Sequence, residues 1–494
     1  MSSYKSIIKS TGLIATVQVV QIIFGLIRNK VVAVVIGTKG FGIWGLYNTY
    51  IEMASAFSSL GLDQSGVRQI AKSNDEVTIA KTIWIFKRAL IVVSSLTALL
   101  SILFSKAISI SLFSTQDYYW GVIIVSFVIL FNGISKGQKA ILNGLRNLRY
   151  LAISQIIGAV IGSIACIALV YFFGEKGIPY YLLTIGLTAV LSTWWFVRKM
   201  NIKLFKPNLN EIQKELKQLF SLGIGFSAAG VIAAIMTWLS RIYLARNYDL
   251  SAVGIYQASW TISNLYIGTI LTAMGVDFMP RIMTLINDPK KFNATVNEQI
   301  ELGVLISSIG VVVILIFSPL VLHLLYSSEF MIGVNIIRWQ VLGVSMRIIA
   351  FPFSYVIMAH NKAFTYAIVQ TIFWVTDFLL LILFSNLWGF YGLGVNYFIA
   401  YFLYLFMTYM VSYKMFGFKF SKSSMKIIYI SYVFIFIAWF LSQFIEKYNY
   451  FLEGVLVIAH GLFIKFYLKK YMGIDLVHLV RSKVSDNGKN KENA

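Results

Sequence analysis

Charge is what this sequence has least of. Asp and Glu number 20 and Lys and Arg 42 among 494 residues, so 13% of the chain is charged. An ordinary soluble domain carries roughly 25%. Set against 58% hydrophobic and 16% aromatic residues, that deficit excludes a disordered chain. It also excludes a water-soluble body of this size, whose surface so few charges cannot cover. The single cysteine, Cys166, rules out an internal disulfide and a cysteine-rich metal site. The four histidines, His323, His360, His460 and His478, are scattered without metal-ligand spacing. No Walker-type motif occurs. The run Gly37-Thr38-Lys39-Gly40-Phe41-Gly42 fits neither the phosphate-loop nor the dinucleotide spacing and reads as a tight turn between two spans. A cleavable signal peptide is not expected, because the first apolar stretch continues past Arg28 and Lys30 without a small-residue cleavage site.

Apolar runs are abundant. Windows long enough to cross a bilayer, about 20 residues, recur from 11–36 to 451–471 and predict an all-α, polytopic membrane protein of about 14 spans. The second is placed at 43–70, the fourth at 119–143, and 82–113 is expected to contain an interfacial turn. With the N-terminus inside, the inward segments hold 31 of the basic residues and the outward loops hold five: Lys39, Lys106, Lys176, Arg246 and Lys447. Six more, Arg28, Lys30, Arg68, Arg241, Arg338 and Arg347, fall within spans. This is the asymmetry of the positive-inside rule. It places both termini in the cytoplasm and explains the net charge of +22 by topology, with no nucleic-acid partner. The polar stretches 198–217 and 281–301 read as cytoplasmic amphipathic segments. No outward loop is large enough for a catalytic domain, so function is expected inside the bundle.

The chain also repeats itself. Gly61-Leu62-Asp63, Arg68 and Asn74-Asp75 parallel Gly275-Val276-Asp277, Arg281 and Asn287-Asp288. Gly42-Ile43-Trp44 parallels Gly254-Ile255-Tyr256, and Ala152, Ile153, Gln155, Gly174 and Gly177 fall on Ala367, Ile368, Gln370, Gly389 and Gly392. The offset stays between 212 and 215 throughout. Six spans separate equivalent elements, which predicts two parallel six-helix lobes around a central cavity. The expected domains are an N-terminal lobe at 1–200, a cytoplasmic linker at 201–217, a C-terminal lobe at 218–415, two extra helices at 416–471 and a basic polar cytoplasmic tail at 472–494.

Polar residues inside the spans recur at helical spacing. Gln18, Gln21, Gly25 and Arg28 share one face of the first span, and Asn48, Glu52, Ser55, Ser59 and Asp63 share one face of the second. The seventh offers Ser227, Gly230, Thr237 and Arg241; the eighth offers Gln257, Thr261, Asn264 and Gly268. Such faces pack against other helices or meet water. A charged side chain at mid-bilayer costs about 2.5–3.5 kcal/mol, so several imply a use. Guanidinium groups match phosphate oxygens bidentately, which makes Arg28, Arg241 and Arg347 candidates for binding a phosphorylated headgroup. The competing explanation pairs them with Glu52 or Asp377 as structural locks. Asp63 with Arg68, and Asp277 with Arg281, read as local ion pairs near span ends, where the helix C-terminal dipole favours arginine. Asp377 replaces Gly162 in the repeat and is a candidate coupling-ion site. His360 reads as interfacial.

The stretch FGLIRNKVVAVVIGTKGFGIWGLYN (Phe24–Asn48), followed by LGLDQSGVRQIA (Leu60–Ala71), resembles the start of Wzx-type O-antigen and polysaccharide flippases. These form the polysaccharide transporter branch of the multidrug/oligosaccharidyl-lipid/polysaccharide superfamily. The resemblance implies a transporter of the bacterial inner membrane. It would move an undecaprenyl-pyrophosphate-linked oligosaccharide to the periplasmic leaflet by alternating access, without ATP hydrolysis. It implies no cofactor, leaves H+ or Na+ coupling open, and points to membrane lipids and the polysaccharide polymerase and chain-length machinery as partners. It also implies a cationic cavity, to which Arg28, Arg68, Arg241 and Arg281 are the matching contributors. The polar faces and mid-span charges themselves add Gln21, Glu52, Asp63, Asn264, Asp277 and Asp377 as polar or coupling residues. A multidrug exporter of the same superfamily and a membrane polymerase are the alternatives. Cations favour an acidic cavity, and a polymerase needs a large outer loop or a carboxylate cluster.

Overall fold

A computed structural model describes residues 2–72, 75–202, 205–360, 362–444 and 450–472. Asn74 of the repeat, Lys447 of the outward tally and 473–494 of the expected tail lie outside the described residues. Among those described the secondary structure is helical, without a strand. In chain order the helices are α1 (Ser2–Ser59), α2 (Leu62–Lys72), α3 (Glu76–Leu103), α4 (Ser105–Phe113), α5 (Tyr119–Gly144), α6 (Leu148–Phe173) and α7 (Ile178–Arg198). There follow α8 (Leu209–Asn247), α9 (Leu250–Met283), α10 (Pro289–Leu325), α11 (Val334–Ala359), α12 (Ala363–Trp388), α13 (Gly392–Phe416), α14 (Lys422–Phe444) and α15 (Tyr450–Met472).

Ten helical stretches among the described residues are long and apolar enough to cross a membrane. The chain is a multi-pass membrane protein. Three of the ten, Thr16–Ser59, Leu148–Arg198 and Ala363–Phe416, have 44, 51 and 54 residues. At 1.5 Å per residue, 44 residues span about 66 Å, twice the hydrocarbon core. Each of the three contains a glycine break. In α1 it is Gly37 (φ 62°, ψ −166°), where the left-handed φ interrupts the helix and Thr38 N–H donates to Glu329 Oε2 at 3.2 Å.

Some boundaries differ from the sequence reading. The second span ends at Ser59, because Leu60 and Gly61 both adopt positive φ (42° and 70°); Asp63 then lies in the first turn of the separate helix α2, where the dipole favours an acid. Lys136 and Lys139, which the charge tally assigned to an inward loop, lie within α5. The expected turn in 82–113 falls at Phe104, between α3 and α4. The polar segments 198–217 and 281–301 feed directly into α8 and α10. A reciprocal Asn208–Glu211 capping box starts α8, and Lys81 on α3 bonds Glu211 at 2.7 Å.

The helices group into two compact units. The first comprises Met1–Thr261, Leu322–Ile336 and Lys362–Asn396; the second comprises Ile262–Val321, Ile337–Asn361 and Tyr397–Ala494. These boundaries are not those of the 1–200 and 218–415 lobes. Part of the first unit's core is an apolar cluster of Leu62, Phe86, Leu90, Ile141 and Leu219, each at most 1% exposed.

Residues matched by the repeat share local structure. Gly174 and Gly389 end α6 and α12 with nearly the same dihedrals, φ 56°, ψ −137° and φ 58°, ψ −137°. Each opens a short 3₁₀ turn before the next helix. Asp75 accepts hydrogen bonds from Val77 and Thr78 N–H at the start of α3, and Asp288 accepts from Lys291 N–H at the start of α10. Gly42 and Gly254 meet one another where α1 crosses α9. A Cβ on Gly42 would lie 1.8 Å from Leu250 O, and one on Gly254 would lie 2.0 Å from Thr38 O. Only glycine allows that approach.

Candidate functional site

In the first unit, Gln21, Gly25 and Arg28, one face of α1, line a cavity of about 320 Å³ with Lys139 of α5 and Ser154, Gln155 and Ser163 of α6. Gln21 Nε2 donates to Gln155 Oε1 at 3.4 Å. An added Cβ at Gly25 or Gly158 would meet nothing within 4 Å, so these glycines give the cavity its room. Arg28 is half-buried. Its Nε and one terminal nitrogen lie 3.4 Å from Asn29 Oδ1, and its guanidinium carbon lies 5.9 Å from the Trp44 ring centroid. No acid lines the cavity, and among the described residues neither Arg28 nor Lys139 has an ion-pair partner. Two cations therefore share a polar chamber without a countercharge.

Arg241 differs. It is 3% exposed; Nε and a terminal nitrogen both donate to Gln257 Oε1 at 3.1 Å, and the guanidinium carbon lies 4.5 Å from the Tyr256 ring centroid. Glu52 and Asp377 are the acids that face it. Glu52 accepts from Asn48 Nδ2 at 3.0 Å and also faces Lys136, whose Nζ donates to Ser55 O at 3.3 Å. Asp377, 7% exposed, accepts from Asn396 Nδ2 at 2.9 Å. Lys136 in turn faces Asp63 and Glu52. Acids thus face Arg241 and Lys136, whereas none lines the cavity that holds Arg28 and Lys139. The repeat shows here too, since Arg28 over Trp44 and Arg241 over Tyr256 are equivalent pairs.

In the second unit, Arg347 donates to Asn264 Oδ1 at 3.1 Å, and Tyr397 O–H donates to the same oxygen at 2.9 Å. The Tyr401 ring centroid lies 5.8 Å from the guanidinium carbon. Two candidates, Arg347 and Asn264, are in direct contact. Arg281, in the last turn of α9, pairs with Glu298 of α10 at 2.7 Å. Its ion-pair partner is therefore Glu298, where the sequence pointed to Asp277, and Asp277 is itself exposed. In the first unit, Arg68 is exposed on α2. His360 stacks on Phe416 at 4.1 Å and bonds Val356 O.

Sequence reasoning missed Lys139, Ser154 and Ser163. The signal was partial: Lys139 falls inside the window 119–143 although its charge counts among the inward ones, and Ser154 and Ser163 fall in the apolar run that follows. Among the described residues no group of three or more His, Cys, Asp or Glu is placed to hold a metal ion.

Fold and site together define a polytopic helical membrane protein with a polar, charged interior, the class to which transporters belong. The chain belongs to the family described as polysaccharide biosynthesis protein, whose model matches residues 7–286. It is 24% identical over 388 residues to the lipid III flippase of Escherichia coli K12, covering 77% of this chain and 91% of that protein. It is 25% identical over 327 residues to a candidate O-antigen transporter of Shigella flexneri, covering 65% and 77%. Among solved structures, the inward closed lipid II flippase MurJ superposes with a TM-score of 0.72 at 18% identity, covering 93% of this chain and 99% of that one. An inward-facing multidrug transporter of the MOP superfamily gives 0.70 at 14% identity, covering 82% and 98%. These two likenesses define the fold.

Proposed function

We propose that this protein flips a lipid-linked oligosaccharide, carried on a polyprenyl diphosphate, from the inner to the outer leaflet of a bacterial cytoplasmic membrane. Family membership and the flippase relatives support the class. The observation that carries the headgroup assignment is the pair Arg28 and Lys139, two cations without an acid in one polar cavity. An uncompensated charge within hydrocarbon costs about 2.5–3.5 kcal/mol, and a diphosphate supplies the missing countercharge. Moving a bare headgroup through lipid is opposed by its desolvation; a cationic, hydrogen-bonding chamber lowers that barrier while the prenyl chain stays in the bilayer. An inside-negative potential drives an anion outward by about 2.3 kcal/mol per charge per 100 mV. In this reading the site opens to each membrane face in turn. The chain crosses about fourteen times, both termini lie inside, and two six-helix repeats are followed by the α14–α15 pair. Asp377 is the candidate for ion coupling.

An exporter of cationic drugs is disfavoured by the absence of acids from this cavity. The test is reconstitution into liposomes with lipid-linked oligosaccharide and a reagent that reports leaflet sidedness. Transfer by the parent and loss in Arg28→Gln/Lys139→Gln are expected. Full transfer by the double variant removes the headgroup assignment, and no transfer by the parent removes the substrate class.

A further inference from the structure

We propose that the first unit also carries a binding site for an anionic phospholipid, at the edge formed by α3, α5, α6 and α7 and sharing no residue with the Arg28–Lys139 cavity. A pocket of about 310 Å³ lies among Lys87 of α3, Ile141 of α5, Trp194 and Arg198 of α7, and Asn201 just beyond it. It contains two cations and no acid, and among the described residues neither cation forms an ion pair. The Arg198 guanidinium carbon lies 5.3 Å from the Trp194 ring centroid. That same Trp194 lines a second space of about 430 Å³, an apolar groove between α6 and α7 bounded by Ile157, Ile161, Thr188, Leu191 and Trp195.

A ligand filling both spaces is anionic at one end and hydrocarbon at the other. From Arg198 to Thr188 is ten residues of helix, about 15 Å, which is half of a hydrocarbon core about 30 Å thick. The groove therefore matches an acyl chain lying within one leaflet. A pocket of 310 Å³ holds a phosphodiester with a small headgroup, and because it shares no residue with the Arg28–Lys139 cavity assigned to the substrate, its occupant is a bulk phospholipid. Basic pockets beside apolar helices at the membrane surface are suited to such headgroups.

The test is native mass spectrometry of the purified full chain, equilibrated with phosphatidylglycerol or phosphatidylcholine. Preferential retention of phosphatidylglycerol is expected, weakened about 5-fold by Lys87→Gln or Arg198→Gln and about 30-fold by both. Leu191→Trp, which fills the groove and keeps both charges, is expected to release it as well, whereas Lys39→Gln leaves it unchanged. Equal retention of the two lipids, or undiminished retention in the double variant, overturns the proposal. Displacement of phosphatidylglycerol from this site by a polyprenyl diphosphate also overturns it, because the pocket then belongs to the substrate.

Discussion

Replacing Arg241 with Met removes a guanidinium that two hydrogen bonds hold to one amide oxygen, that stacks on Tyr256, and that faces Glu52 and Asp377. Arg241 forms no ion pair among the described residues and Glu52 is exposed, so the range of about 3–5 kcal/mol for stranding a buried charge is an upper bound that applies to the buried Asp377. Glu52 keeps Asn48 and Lys136 as neighbours, so it adds little and the lower end, about 3 kcal/mol, is the expected cost. Among the described residues Asp377 keeps Asn396 as its donor, and it carries most of the penalty. Adding Asp377→Asn to Arg241→Met should then restore about half of the loss, leaving the two changes non-additive by more than about 1 kcal/mol. Equilibrium unfolding in mixed detergent micelles measures all three variants. A single Arg241→Met variant within about 0.5 kcal/mol of the parent, or a strictly additive double variant, refutes the lock.

Lys139→Met is expected to leave stability unchanged or raise it, because an apolar side chain replaces a cation without a partner; a loss above about 1 kcal/mol in the same unfolding assay contradicts the cavity description. Gly42→Ala places a methyl group 1.8 Å from Leu250 O and should cost at least about 1–3 kcal/mol, while Gly158→Ala, which meets open space, should be nearly neutral; equal effects in thermal unfolding would remove the close α1–α9 crossing. Arg281→Ala should shift stability by less than about 1 kcal/mol, since its bond to Glu298 is exposed, and a larger shift would show a role that the geometry lacks. Hydrogen bonds from Thr78 hold the Asp75 carboxyl below the usual aspartate range. A depressed folded-state value means that the cap is intact above the ordinary aspartate range and fails as pH falls through the lowered one. Amide-exchange protection at residues 77–79 should follow that course, and Asp75→Asn should abolish its pH dependence.

Periodicity made the polar face of α1 legible. The 3-, 4- and 3-residue steps of Gln18, Gln21, Gly25 and Arg28 predict a shared face; the last three line one cavity, and Gln18 is not part of its lining. The repeat was legible because Gly174 and Gly389 meet the same backbone demand at matching points. Partners were not legible. Arg241 and Glu52 lie far apart in sequence and approach only once the helices pack, so no local pattern announces their compensation; Glu298 as the partner of Arg281 is a similar case. Lys139 escaped because a lysine at the end of an apolar run ordinarily marks the cytoplasmic surface, yet α5 continues through it. The break at Leu60–Gly61 escaped because it depends on a leucine in positive φ, which composition does not encode.

The most direct measurement is equilibrium binding of a short-chain prenyl diphosphate to the purified full chain, in parallel with the uncharged prenol. Saturable binding of the diphosphate alone is predicted, weakened by more than about 100-fold when both charge-assisted contacts, worth about 1.5–3 kcal/mol each, are removed in Arg28→Gln/Lys139→Gln. Equal affinity for diphosphate and prenol, or undiminished binding by that double variant, would contradict a cationic chamber made for the lipid headgroup.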